Sequence, residues 1–287
     1  MAYVGDLWID RDPPPMSVPT EEMVENVRRN CARELPGVMA PPVVICGPGP
    51  TLHGQIGEIR SRQARGHQVW ALKGTWEPLV EAGIKPDAAI MLDASIGQLV
   101  YVLGAPKDMR WYLASQVHWA VFDQLAGRDI VVWHAPLRDH EALFPRNTFW
   151  VTGGPTVASR AIGLANILRH QSIALAGVDC GWREGERPHV YQLADGMADV
   201  RTFTAGGVQF KCTVKMAREA KLITQMAHSA ALPPITILGY SHLSVLAASY
   251  TAVRTHRELT KDTFNLPSTV PFGLDDAGGQ QLLLIDG

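Results

Sequence analysis

Apolar residues in this chain cluster in short runs, within 43–46, 68–72, 87–92, 111–114, 129–133, 172–177 and 234–238, several of them opened by one polar residue. A run without polar alternation reads as a strand covered on both faces, the habit of parallel sheets. The stretches between them carry helical spacing, over residues 53–65, 75–82, 118–125, to Leu168 after a glycine pair, over 214–230 and from about 243. Strands and helices in alternation predict an α/β fold, a Rossmann-like and mostly parallel sheet with helices on both faces. Ahead of it, residues 21–34 predict a helix with Thr20 as N-cap, acids in its first turn and an apolar stripe of Val24, Val27 and Cys31. Residues 199–210 predict a hairpin around Gly206 and Gly207. The expected organisation is an N-terminal arm and helix (1–40), a Rossmann-like domain (41–250) and a helix end with a tail (251–287). The apolar run at 282–285 in that tail reads as an edge strand or an intermolecular contact.

Composition narrows the class. With 46% hydrophobic residues, 19% charged and eight tryptophans in 287 residues, the chain can bury a sizeable core. A net charge of −2 without a basic run argues against a nucleic-acid partner. Cys31, Cys46, Cys180 and Cys212 lie too far apart for a zinc ribbon or a disulfide framework, and Cys46 reads as a core residue. No apolar stretch is long enough to cross a bilayer, and the acidic start lacks the apolar core of a signal peptide, so a soluble cytoplasmic protein with no membrane partner is expected. A homo-oligomer stays open.

In an open parallel sheet, ligands bind beyond the carboxyl ends of the strands. The first central strand ends in Gly47-Pro48-Gly49-Pro50-Thr51-Leu52, glycines that expose backbone between prolines that stiffen it, ahead of a helix start. Free N–H groups and a helix dipole there make an anion site, and a tight turn feeding a helix is the alternative. It is not a dinucleotide fingerprint, because Leu52 stands at the third glycine and the next strand ends in Lys73 rather than an acid. No Walker A loop and no nucleophile elbow occur. A second glycine element, Thr152-Gly153-Gly154-Pro155-Thr156, reads as a phosphate-binding helix start with Pro155 at its first position, or as glycines that allow close packing.

Asp93 and Asp179 each follow an apolar strand, where carboxylates hold Mg²⁺ against phosphates, bind ribose or cap the next turn. Asp87, ahead of its strand, reads as a turn residue. Among ten histidines, His189 after a charged loop is kept as an acid or substrate contact and His118 as a weaker one. His134 and His140, six apart, do not make a metal motif.

Taken together, Val44 through Leu52, Ala71-Leu72-Lys73-Gly74-Thr75-Trp76, Ala82-Gly83-Ile84-Lys85-Pro86-Asp87, Leu92-Asp93, Gly153-Gly154 and Ala176-Gly177-Val178-Asp179 follow one another in a familiar order. Over about residues 26–246 the chain resembles the 6-hydroxymethylpterin diphosphokinase MptE-like family, which includes flagellar motility accessory factors thought to transfer nonulosonic acids. The resemblance implies a core similar to certain bacterial sialyltransferases and a nucleotide-activated donor. By position it implies roles for Gly47, Gly49, Thr51, Asp93, Gly154, Thr156 and Asp179. The chain departs from the pattern at Lys73, where relatives usually carry Asn, and at Tyr240 and Ser241, where Asp and Gly are expected.

The expected activity is a Mg²⁺-dependent diphosphokinase, moving pyrophosphate from ATP to a hydroxymethyl-pterin-like alcohol. Loop amides and Lys73 would meet phosphates and Asp93 or Asp179 the metal. The alternatives are glycosyl transfer from a CMP-activated nonulosonic acid to a small-molecule or glycan acceptor, with His189 or an aspartate as base, and a nucleotide-binding descendant without turnover.

Overall fold

The computed structural model describes residues 20–30, 40–137, 143–144, 150–189, 199–205 and 207–259. The arm before residue 20, Cys31, His140, Gly206 and the 282–285 run lie outside the described residues. Helix α1 (Thr20–Asn30) comes first, followed by β1 (Val43–Cys46), α2 (Leu52–Ala64), β2 (Gln68–Leu72), α3 (Trp76–Glu81) and β3 (Ala88–Met91). Next come β4 (Arg110–Ala114), α4 (Trp119–Gln124), β5 (Ile130–Trp133), α5 (Val157–Ile167) and β6 (Ile173–Ala176). The chain closes with β7 (Trp182–Arg183), β8 (Val200–Ala205), β9 (Val208–Thr213), α6 (Val214–Ala227), β10 (Ile235–Ile237) and α7 (His242–Leu259).

Seven strands form one sheet in the order β10-β6-β1-β2-β3-β4-β5, and every neighbouring pair is parallel. The apolar runs explain this. Val43, Val44, Ile45 and Cys46 are fully buried, as a central strand covered on both faces must be. The expected strands and helices all form, with ends that differ by a residue or a few. Helix α2 packs on β1, β2 and β6, while α5 packs on β1 and β3.

Two features escape the apolar pattern. Residues 96–101 form a 3-10 turn opened by Ser95, whose hydroxyl accepts from the Gly97 amide at 3.2 Å. Strand β7 is only two residues long, and it completes a small antiparallel sheet in the order β7-β9-β8, whose β8–β9 hairpin was legible. Helix α1 is not a loose appendage. It buries Met23, Val24 and Val27 against Ala94, Leu137 and Phe144, and Asn26 donates to the Gln116 carbonyl at 2.8 Å.

Strand order fixes where a ligand can meet the chain. From β1 the chain winds outward through β2, β3, β4 and β5, then returns to place β6 on the other side of β1. The reversal between β6 and β1 is the switch point at which carboxyl-end loops part. The turns after β6, β1, β2 and β3 therefore lie side by side along one edge.

Candidate functional site

The edge divides into two groups of side chains. The first is a knot at the ends of β6, β1 and β10. Asp179 is buried, and its carboxylate accepts from the Thr51 amide at 2.8 Å and the Thr51 hydroxyl at 2.6 Å. Ser241 adds a hydrogen bond from the turn after β10. Burial nonetheless pushes the Asp179 carboxyl above its ordinary range, and the nearby charge of Glu186 adds to that. Asp179 thus occupies the anion position at the start of α2. The other loop amides are also engaged, since Gly47 N–H donates to the Ala176 carbonyl at 2.8 Å and Gly49 N–H to the Gly177 carbonyl at 2.7 Å. Pro48 and Pro50 bring no amide hydrogen. A Cβ on Gly49 would stand 2.4 Å from Asp179 Oδ2, so the glycine lets the acid reach the loop.

The second glycine element is equally closed. A Cβ on Gly153 would meet the Ser159 carbonyl at 2.6 Å, and one on Gly154 the Ser159 hydroxyl at 2.5 Å and Leu222 at 2.2 Å. Pro155 is not the first helical residue. Thr156 is the N-cap, with its hydroxyl accepting from the Ser159 amide at 3.4 Å. The same hydroxyl donates to Glu219, a buried acid on α6 whose carboxyl is raised by burial. Glu219 lies on the apolar stripe of α6 with Ile223 and Met226, and that misplaced charge was the signal available in the sequence. Arg160, half-buried nearby, is pushed down to about 10 by desolvation, with the charge of Glu219 opposing.

The second group lies at the ends of β2 and β3, and it opens to solvent. Lys73 forms an ion pair with Asp93, with side chains 25% and 30% exposed. Lys73 has φ 54°, the left-handed region that a residue with a side chain rarely adopts. Such strain persists where the surroundings over-determine it, and it clusters at ligand sites. The surroundings are visible here. The Tyr101 ring presses so close to Gly74 that a Cβ there would stand 2.6 Å from it, and the Trp76 indole donates to the Tyr101 carbonyl at 2.7 Å.

The segment after β6 connects the two groups. Arg183 donates to the Tyr240 carbonyl at 2.9 Å and lies over the Tyr240 ring at 5.1 Å. Glu186 is near enough to Asp179 to oppose its ionisation, and His189 near enough to Lys73 to be disfavoured as a cation. With burial as the larger cause, His189 is lowered from 6.5 to about 4, so it is a neutral imidazole at pH 7. The segment thus comes within electrostatic reach of Asp179 through Glu186 and of Lys73 through His189.

The structure thus brings Lys73, Asp93 and His189 together, places Gly47, Gly49, Thr51 and Asp179 in the adjoining knot, and sets Gly153, Gly154 and Thr156 against α6. His118 is the N-cap of α4, accepting from the Ala120 amide at 3.2 Å. Asp87 accepts from the Val69 amide at 2.7 Å, in keeping with a turn role. Among the described residues no cluster of three or more His, Cys, Asp or Glu could hold a metal ion. Both Asp179 oxygens already accept hydrogen bonds, and Asp93 is already paired with Lys73. No described helix is long and apolar enough to cross a membrane.

The family model described as 6-hydroxymethylpterin diphosphokinase MptE-like matches residues 20–185, which span α1 through the glycine loop, Lys73, Asp93 and Asp179 to β7. No curated protein sequence gives a significant match. Among solved structures, a MAf glycosyltransferase from Magnetospirillum magneticum AMB-1 aligns with a TM-score of 0.59 at 17% identity, covering 84% of this chain and 43% of that one. That likeness is one of fold, and this chain spans less than half the length of that protein.

Proposed function

The chain belongs to the 6-hydroxymethylpterin diphosphokinase MptE-like family, and from that premise we propose that it is a nucleotide-dependent transferase whose donor phosphates meet Lys73. The observation that carries this reading is the strained lysine at the carboxyl end of β2, paired with Asp93 and within electrostatic reach of His189.

The reaction proposed first moves pyrophosphate from ATP to a hydroxymethyl-pterin-like alcohol. The acceptor oxygen attacks the β-phosphorus, the bond from that phosphorus to the oxygen bridging it to the α-phosphorus breaks, and AMP leaves. The alcohol proton goes to a base. Lys73 neutralises charge on the transferred group, which is most of what phosphoryl transfer asks of a protein. His189 is neutral at pH 7, the protonation state a base needs, although a value near 4 makes it a weak one until the donor's negative charge offsets that of Lys73. The Asp179 knot holds the ends of β6, β1 and β10 in register, so that the segment carrying His189 is held within electrostatic reach of Lys73. A Mg²⁺ ion, if used, would arrive on the donor's phosphates with Asp93 as its protein contact, and it would supply further charge neutralisation.

Glycosyl transfer from a CMP-activated nonulosonic acid is the second reading, supported by the fold shared with the MAf glycosyltransferase over most of this chain. Product analysis separates the two. With ATP and 6-hydroxymethyl-7,8-dihydropterin, the first reading expects AMP and a pyrophosphorylated pterin by phosphorus NMR and mass spectrometry. Release of CMP from CMP-sialic acid, with no AMP from ATP, would overturn the first reading in favour of the second. No product from either donor would leave the non-catalytic nucleotide binder.

A further inference from the structure

The ion pair at the ends of β2 and β3 sets two demands on one cation. Lys73 is the group that the proposed donor phosphate would meet, yet its ammonium already has Asp93 as a partner. Both side chains are partly open to solvent, so an anion from outside can reach the pair. The two residues are not equally held. Lys73 has its backbone fixed at φ 54° beside the packed Gly74, Trp76 and Tyr101 contacts. Asp93 lies in the short irregular connection between β3 and the Ser95-capped turn. When a competing anion arrives, the aspartate is the partner free to yield.

We infer that Asp93 is a stand-in for the donor's phosphate: it neutralises Lys73 in the free protein and is displaced when the donor binds, so that it antagonises binding of the metal-free donor. The inference rests on the reading of Lys73 as the donor's contact. A partly exposed ion pair is weak, whereas a multiply charged phosphate on the Lys73 ammonium is a charge-assisted contact with more charge than one carboxylate, so the exchange runs toward the donor. His189 cannot replace Asp93 as the counter-charge, because an imidazole carries either no charge or a positive one, and the Lys73 charge disfavours the positive form. Displacement leaves the Asp93 carboxylate unpaired at the mouth of the site only while donor is bound. Asp93 is thus a positioning residue whose release from Lys73 is tied to donor occupancy.

The inference predicts a sign. In full-length protein, titrated by calorimetry with ATP and with inorganic pyrophosphate in EDTA, Asp93→Asn tightens both by about threefold or more. The same substitution in a Lys73→Met background changes neither, because the competition it removes needs the lysine. Asp93→Ser must give the same sign, which keeps the test open if the asparagine variant misfolds. Unchanged or weaker binding in the Asp93 variants, with the wild type binding normally, overturns the stand-in role and leaves the donor reading intact. A wild type that binds neither ligand overturns both.

Discussion

Lys73 carries an unfavourable backbone conformation that glycine would adopt without strain. Lys73→Gly should therefore hold or raise the thermal midpoint while weakening ATP binding about tenfold, the signature of strain retained for a ligand. A midpoint lowered by several degrees with unchanged binding would make the lysine a structural residue. His189 gives a second test at this scale. A base whose folded value is lowered from 6.5 to about 4 binds fewer protons in the folded state, so its contribution to stability is lost as pH falls through that window. By proton NMR the ring of His189 should show no titration between pH 6 and 8, and a midpoint near 6.5 would contradict its burial beside Lys73. Glu219 has the opposite sign. Its raised carboxyl takes up a proton on folding, so stability falls as pH rises from 4.5 through the folded value. Glu219→Gln should raise the midpoint at pH 7 and lose that advantage near pH 4, as read by thermal scans at the two values.

Among the elements, the glycine loop after β1 has a role that its residue types alone do not disclose. Alternating glycine and proline before a helix suggest exposed amides awaiting an anion, and an anion is present, supplied by the chain itself as Asp179. Residues separated by 128 positions meet because β6 returns to lie beside β1, a crossover that no local pattern records. Asp179→Ala should cost about 2 kcal/mol in chemical denaturation, because it leaves the half-buried Thr51 amide and hydroxyl without their acceptor and opens a space where a buried side chain stood. A loss below about 0.5 kcal/mol would show that the loop does not depend on the acid. What was legible is instructive. The apolar runs gave β1, β2, β3, β4, β5 and β6, because a strand buried on both faces has no polar alternation to confuse it. The 3-10 turn at 96–101 and the two-residue β7 stayed hidden, since short elements are set by tertiary contacts rather than periodicity. The pairing of Lys73 with Asp93 was equally hidden, although each residue stood out alone at a strand end. Adjacency of β2 and β3 is what joins them.

Across the whole molecule, one parallel sheet places its carboxyl-end loops in a row, and that row divides the labour. The ends of β6, β1 and β10 are sealed by Asp179, Thr51 and Ser241, while the ends of β2 and β3 keep a cation and a carboxylate open to solvent. The segment from Arg183 to His189 is held to the sealed half through Tyr240 and comes within electrostatic reach of Lys73 in the open half. The architecture is therefore one in which stability and ligand contact use neighbouring but separate loops. Calorimetric titration of ATP into the wild type and into Lys73→Met tests that division most directly. The account predicts measurable binding by the wild type and a loss of about tenfold or more in the variant, with its thermal midpoint unchanged. Equal affinity in the two proteins would contradict it, and would move the ligand site away from the end of β2.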